Sequence, residues 1–498
     1  MKKILAILII AAVCAGLLLA CAEETPLEEA GRGADVADEP AEDEGPPPRI
    51  EPNLPDVYFE GFTFTFLSHR EESDDWYQPD PREIIAETET GAPINDAVFR
   101  RNAILSERYG FELDLVTNTD AVSILRRAVT AGDDLYGAVL LFNNHAPNAV
   151  QGGLLADVGM LTYVDWDKPW WDNAIKGMSV LGRNFLLAGD LMILDNEATN
   201  AIIFNKDLMR DLGRPLPYDL VDAGEWTLGA MEEMMRGAAA DLDGSGVMTA
   251  DGSRWGFVTY DDALHAFLVG GGGALAEKDE NDVPVMSFAT ERNVLIFDRA
   301  MDIMLSDYTL NIQRDVDPGG DGNPNWTRTI RTTFEEDRAL FMWVRMRVVE
   351  KFRGMESDFG ILPIPKFDAG QPEYRSVVNP WTGVMLGVPI TVSDPERTSI
   401  ILEAMSAESR YTLQPAYYDI VLTRQFARDE ESEAMLDLIF STRVYDIGAV
   451  YNFATVFGNY IYLHARGNNR NILAYYERYA PRFQREIDML VERIMDMD

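Results

Sequence analysis

The sequence predicts an α/β fold, in which strand and helix alternate around a largely parallel sheet. Three observations carry this. Once the first 55 or so residues are passed, apolar residues alternate in short runs that read as strands. Between those runs lie stretches with apolar residues at helical spacing, each closed by glycine. Finally, both cysteines of the 498 residues, Cys14 and Cys21, lie near the start. The folded part therefore has no disulfide, no thiol nucleophile and no cysteine metal site. A large core must hold it, and at this length more than one lobe shares that core.

In order, Phe59 to Phe66 alternates with Phe62, Phe64 and Phe66 on one face and reads as a strand. Ile94 to Tyr109 is a helix with Ala97, Ile104 and Tyr109 on its apolar side and Gly110 as its stop. Phe111 to Val116 is a second strand, Ala121 to Ala131 a helix ended by Gly132, and Tyr136 to Phe142 a buried strand. In open sheets of this kind ligands sit outside the carboxyl ends of strands. That nominates Ser68 to Arg70 and Asn143 to His145. Further on, Ala201 to Asn205 and Arg254 to Tyr260 read as strands. Lys206 to Leu212, Trp226 to Ala240, Asn293 to Ser306 and Ser399 to Glu408 read as helices. Met231, Met234 and Met235 are core filler. Arg470 to Met497 is a long amphipathic helix with Pro481 as its candidate break. The chain shows no internal repeat.

The first residues form an export signal. Lys2 and Lys3 precede an uncharged apolar run from Ile4 to Ala20, which stops at Cys21 and turns acidic. The run is marginal as a span, which takes roughly 20 apolar residues. Leu18-Leu19-Ala20-Cys21 resembles the bacterial lipobox, whose Cys becomes the lipidated first residue. The other reading is an ordinary signal peptide cut near Ala20 or Ala22. Residues 21–55 form an acidic, Pro-rich segment with Pro46-Pro47-Pro48 and no aromatic. Such a composition makes an extended, disordered tether.

The formal charge of −40 becomes −42 without Lys2 and Lys3. Nucleic acid and anionic membrane surfaces, which need Lys and Arg, are excluded as partners. The four histidines, His69, His145, His265 and His464, have no zinc-type spacing. Neither a Gly-x-Ser-x-Gly elbow nor a P-loop occurs.

Several stretches together resemble the extracellular solute-binding proteins of ABC importers, sugar-type, in their clostridial lipoprotein form. They are Ala131-Gly132-Asp133-Asp134-Leu135-Tyr136, Gly153-Leu154-Leu155-Ala156-Asp157, Lys168-Pro169-Trp170-Trp171-Asp172 and Phe204-Asn205-Lys206-Asp207-Leu208. Phe359-Gly360-Ile361-Leu362-Pro363-Ile364-Pro365-Lys366 and Asp394-Pro395-Glu396-Arg397-Thr398 come after them in the same order. The resemblance covers nearly the whole mature chain. It implies a two-lobed, periplasmic-binding-protein-like (type II) fold with a hinge and an interlobe cleft. Lobe one would take residues 56–195 and about 382–440, lobe two 196–381 and about 441–498. The strands crossing between them would lie near Leu191 to Ile203 and Asn379 to Pro389, and closure would be a hinge motion.

By the same resemblance the chain would be a lipid-anchored monomer on the extracytoplasmic face of the cell membrane. It would deliver a small ligand, a sugar, to ABC importer permease subunits, with no catalysis and no required cofactor. Sugar clefts use flat aromatics and planar polar groups. Trp343, following a buried strand Ala339 to Met342 near Arg345, and Trp381 at the second crossing are the aromatic candidates. Trp170 and Trp171 are assigned to packing. Arg70, Asn143, Asn144, Asp190, Asp195, Tyr260 and Asp261 are the polar candidates. Two other readings stay open: a secreted glycoside-active enzyme, which needs two positioned carboxylates, and a peptide-binding surface lipoprotein.

The stretch Asp241 to Asp251 resembles an EF-hand loop. Asp241, Asp243 and Ser245 stand at places one, three and five, Val247 at seven and Thr249 at nine, with Gly246 at the turn. Asp251 comes one residue early, and Gly252 occupies place twelve. The alternatives are a structural calcium and an Asp/Gly turn without metal.

Overall fold

Alternating burial sets the first strand. In β1 (Phe62–His69), Phe64 and Phe66 are buried while Thr63 is exposed. β2 (Phe111–Asn118) and the fully buried β3 (Ala138–Phe142) come next. Between β1 and β2 runs the helix Pro93–Tyr109, with proline in its first turn and Gly110 closing it at φ 66°. Its buried stripe is Ile94, Ala97, Val98, Arg101, Leu105 and Tyr109. Ile104, expected on that stripe, is exposed, because Leu105 continues the turn-by-turn spacing from Arg101. Asp120 caps the helix Ala121–Ala131 through the Ser123 amide.

The computed structural model describes residues 49–69, 82–316, 325–352, 354–421 and 430–497. Cys21, the export signal, most of the tether and Arg70 lie outside the described residues. The chain divides into a unit Met1–Arg49 and a unit Ile50–Asp498, and every described strand and helix belongs to the second. Its remaining strands are β4 (Asn200–Asn205), β5 (Ala240–Asp241), β6 (Ser253–Thr259), β7 (Ala276–Lys278) and β8 (Pro284–Met286). Then come β9 (Thr309–Asn311), β10 (Ala339–Arg345), β11 (Phe359–Leu362), β12 (Ser376–Val377), β13 (Val384–Gly387) and β14 (Arg443–Val444).

Two main sheets organise two lobes. The first has the order β13-β3-β1-β2, and the second β11-β4-β10-β6-β5 with β9 beside β6. β1 pairs in parallel with both β2 and β3. The second sheet is mixed, against the largely parallel expectation. The crossings supply the reason. β13 and β4 each come directly after a crossing from the other lobe, so they start at the junction of the two sheets and run away from it. Each is therefore antiparallel to the neighbour it joins, β3 and β10 respectively.

Three crossing segments lie side by side. Thr199 bridges Val378, and the Asn379 amide donates to Ala198 O at 2.9 Å. β12 pairs in parallel with β14, flanked by Ser376 N to Thr442 O (2.9 Å) and Val378 N to Val444 O (3.0 Å). The second and third segments are thus joined by backbone bonds, and the second joins the first.

Several elements are shorter, longer or less broken than expected. The Met-rich helix covers only Leu228–Met235, ending before Gly237 at φ 72°. The helix Pro395–Ser409 begins four residues earlier than expected, capped by Asp394. The C-terminal helix Ile472–Met495 runs through Pro481 without ending, burying Phe483, Ile487, Leu490 and Ile494. Trp170 and Trp171 are packing residues as expected. Their indole N–H groups donate to the two oxygens of Glu403, at 3.0 and 2.6 Å.

Burial raises two glutamates of this core into the neutral pH range. Burial pushes the Glu403 carboxyl up to about 7, although the two indoles oppose this. Burial likewise raises Glu83 to about 8, and its carboxyl oxygens have no hydrogen-bond partner. Unfolded glutamate titrates near pH ~4.3. Above about pH 6.5 the unfolded chain has lost these protons while the folded chain keeps them, so stability falls as pH rises towards about 8. The lowered imidazoles of His69, His145 and His464 act below that window. Thermal unfolding at intervals across the window checks this. The midpoint is expected to decline with pH, and Glu83→Gln to flatten the decline. A midpoint that rises over the same interval contradicts it.

Candidate functional site

The chain leaves β1 for β2 on one side and then returns across β1 to β3. The order β3-β1-β2 therefore puts a topological switch between β1 and β3, where α/β sheets open a crevice at their carboxyl ends. His69 ends β1, and Asn143, Asn144 and His145 come after β3. The His69 ring stands 4.2 Å from Phe142 and 5.0 Å from His145. Burial, then His145, lowers His69 to about 4, and burial lowers His145, so both rings are neutral at neutral pH.

The second crossing turns against this edge. The Asn143 amide donates to Gly383 O at 2.8 Å and the Asn144 amide to Pro380 O at 3.0 Å. Both side-chain polar atoms of Asn143, and Asn144 Oδ1, are buried without a hydrogen-bond partner. Within the turn, the Trp381 amide donates to Asn379 Oδ1 at 2.9 Å, and Asn379 Nδ2 donates to Asp262 Oδ2 at 3.0 Å. Trp381 is half-buried, and its ring lies 5.3 Å from Phe457.

The second lobe brings the ends of β6 and β10. Trp343 lies inside β10 rather than after it, because the strand continues to Arg345. Trp343 meets Tyr260 edge to face at 5.7 Å, and its buried Nε1 has no hydrogen-bond partner. Arg345, also buried, pairs in register with Asn200, whose Oδ1 is another unpartnered buried atom. Asp261 is held between Asn311 Nδ2 (2.9 Å) and Arg466 Nε (2.7 Å). Burial pushes its carboxyl up to about 6, with Arg466 opposing. The Arg466 guanidinium covers one face of the exposed Tyr462 ring at 4.9 Å. Tyr460–Arg466 is a π-helical stretch, and Asn452, Ala454 and Thr455 shortly before it are left-handed, at φ 51°, 50° and 60°. Non-glycine residues in that region carry strain, and such backbone concentrates at functional sites.

Other candidates are committed elsewhere. Asp190 pairs with Arg410 at 3.0 Å, and Asp195 with Arg443 at 3.3 Å. Arg443 also pairs with Asp172 at 3.1 Å. Burial raises Asp190 and Asp195 each to about 6, with these arginines opposing. The residues missed from sequence are Asn379, Asp262, Phe457 and Arg466. The aromatic-rich run 451–466 was the available signal for the last two.

The Asp241 loop satisfies itself. Asp241 accepts from the amides of Asp243 (3.2 Å), Gly244 (3.0 Å) and Gly246 (2.7 Å), and Asp243 from that of Ser245 (2.9 Å). Ser245 Oγ donates to Val247 O, and Thr249 Oγ1 accepts from Gly252 N. A Cβ on Gly252 would lie 2.2 Å from Asp243 Oδ2. Place twelve thus faces the carboxylates, and glycine leaves it without a ligand. Among the described residues no group of three or more His, Cys, Asp or Glu could hold a metal. Nor is any described helix long and apolar enough to cross a membrane.

No family model matches the chain, and no curated protein matches it. Solved structures do match. UspC of M. tuberculosis is 15% identical, with 85% of this chain and 100% of that chain covered and a TM-score of 0.55. A cyclo/maltodextrin-binding protein complexed with maltotetraose is 12% identical, with 88% and 98% covered and a TM-score of 0.52. The ABC substrate-binding protein Lmo0181 from Listeria monocytogenes, in complex with cycloalternan, is 12% identical, with 87% and 99% covered and a TM-score of 0.50. At these identities the likeness establishes the fold, the two-lobed α/β architecture of solute-binding proteins.

Gly383 tests the packing of the turn. A Cβ there would meet Asn143 Nδ2 at 2.4 Å, Val378 Cγ1 at 2.6 Å and Asn379 O at 3.0 Å. Overpacking of this kind costs about 1–3 kcal/mol. Gly383→Ala is expected to lower the urea midpoint accordingly; an unchanged midpoint would show that the turn does not press on Asn143.

Proposed function

We propose that the chain is a lipid-anchored extracellular solute-binding protein. It captures a mono- or oligosaccharide by hinge closure and passes it to the permease subunits of an ABC importer. One observation carries the reading. Asn143, Asn144, Asn200 and Trp343 present buried donors and acceptors without partners. They belong to elements that the second crossing and its Trp381 turn bring together. A buried polar atom left unsatisfied costs about 1–3 kcal/mol, which ligand hydroxyls would offset. Amides offer both donor and acceptor, as hydroxyls require. The half-buried Trp381 ring offers a flat apolar face beside them. His69 and His145 are neutral, and Asp261 is matched by Arg466, which suits a neutral polyol. The maltotetraose and cycloalternan complexes of structurally similar proteins support the same class.

In this reading Cys21 holds the lipid, residues 21–55 space the folded part from the membrane, and the protein acts as a monomer at the extracytoplasmic face. Lobe one is built on the sheet β13-β3-β1-β2 and lobe two on the sheet β11-β4-β10-β6-β5. Tyr260, Arg345, Trp343, Asn143, Asn144 and Trp381 face ligand on closure, and Arg70 adjoins them in sequence beyond β1. The protein binds without chemistry and needs no cofactor. The Asp241 loop is a self-capped turn rather than a calcium site.

Thermal unfolding with a panel of mono- and oligosaccharides tests the assignment, since a ligand of the folded state raises the midpoint. At least one sugar is expected to raise it and to be recovered unchanged. Trp381→Ala should then weaken that sugar roughly tenfold, given about 0.5–1.5 kcal/mol per aromatic contact beyond burial. No response to any sugar, or released reducing ends, contradicts the proposal. EDTA is expected to leave the midpoint unchanged, and a fall would restore calcium to the Asp241 loop.

A further inference from the structure

Trp381 is held at two points by one short helix, and that helix is tied to the third crossing. The helix Ala263–Gly270 begins after Asp262, whose carboxylate receives Asn379 Nδ2, and Asn379 Oδ1 in turn receives the Trp381 amide. Three residues on from Asp262, so on the same helical face, stands His265. Its ring meets Phe457 edge-on at 4.9 Å and 87°, and Phe457 lies against Trp381. The contacts close a ring from Trp381 through Asn379, Asp262, His265 and Phe457 back to Trp381.

His265 has a second connection. Its Nε2 lies 2.9 Å from Asp446 Oδ2, both side chains being about 1% exposed. Asp446 comes two residues after the crossing strand β14. It also accepts from the amides of Leu275 (2.8 Å), Ala276 (3.4 Å) and Gly448 (2.9 Å). A carboxylate with this many donors is fixed in place, and it fixes the imidazole that donates to it. The left-handed residues Asn452, Ala454 and Thr455 then set the direction from which Phe457 reaches the same imidazole.

We infer that His265, oriented by Asp446, is a positioning residue for the ligand site: it sets Phe457 against Trp381 and couples that aromatic wall to the third crossing strand. For ligand affinity this rests on the sugar-binding reading; for the placement of Trp381 it does not. Removing the imidazole frees Phe457 and lets the indole turn, while Asp446 keeps three amide donors. Glutamine at 265 places an amide donor near the same oxygen.

The experiment uses the full chain and reads two quantities. The first is Trp381 emission in ligand-free protein, obtained as the difference from Trp381→Phe in each background. The second is the dissociation constant of the sugar that most stabilises the native protein. In His265→Leu the Trp381 emission is expected to move to longer wavelength and affinity to fall about tenfold or more, about 1.4 kcal/mol. Phe457→Leu, which leaves the His265–Asp446 pair intact, is expected to do the same. His265→Gln is expected to restore both quantities to near native. Native Trp381 emission in both folded leucine variants would overturn the inference, as would shifted emission that glutamine does not restore. If no sugar stabilises the native protein, the proposed function fails and the emission measurement alone decides this inference.

Discussion

The backbone bonds between the three crossing segments are the constraint on which the rest of the molecule depends. Thr199 against Val378, and Val378 against Val444, make a narrow ribbon between two sheets that otherwise have separate strand orders. Because β4 and β13 must start from that ribbon, they enter their sheets antiparallel to their neighbours. The ends of the parallel strands β1 and β3 lie side by side, and the Asn143-Asn144 loop after β3 meets the turn at Asn379 to Gly383. The site is thus located by topology before any side chain is chosen. A ribbon of extended backbone can bend by small dihedral changes at few residues, so the proposed closure would leave both cores packed.

Charge around the ribbon is arranged in pairs. The first crossing and its approach carry Asp190, Asp195 and Glu197, each with an arginine: Arg410, Arg443 and Arg347. Asp261 has Arg466, and Asp446 has His265 and three amides. Buried carboxylates without such partners protonate instead, as Glu83 does. Asn143, Asn144, Asn200 and the Trp343 indole, which hold unsatisfied buried atoms near the crossings, are uncharged. The excess of acid over base is left for exposed positions, where water screens it.

Much of the first lobe was legible in the sequence because its elements are short, amphipathic and closed by glycine. The helix Ala121–Ala131 falls where periodicity and Gly132 place it, and β3 differs by two residues from the expected strand. Asn143 and Asn144 were legible for the same reason, since the carboxyl-end rule needs only the strand before them. Asp190 and Asp195 were named as polar candidates, but their arginine partners were not legible, because these lie 220 and 248 positions away in sequence. Phe457 was missed because an aromatic beside a left-handed turn has no periodicity to announce it. Pro481 did not break its helix: the apolar stripe of Phe483, Ile487, Leu490 and Ile494 gains enough by packing to outweigh one lost amide bond. The pattern is physical. Local periodicity survives in a sequence, whereas pairings between distant segments do not.

If the crossing ribbon is a hinge and the unsatisfied atoms beside it await a sugar, ligand must draw the two lobes together. Small-angle X-ray scattering on the folded chain, alone and with each saturating mono- or oligosaccharide of a panel, measures this directly. The account predicts that at least one sugar reduces the radius of gyration while the others leave it unchanged. An identical radius with a sugar proven to bind would contradict closure at this hinge.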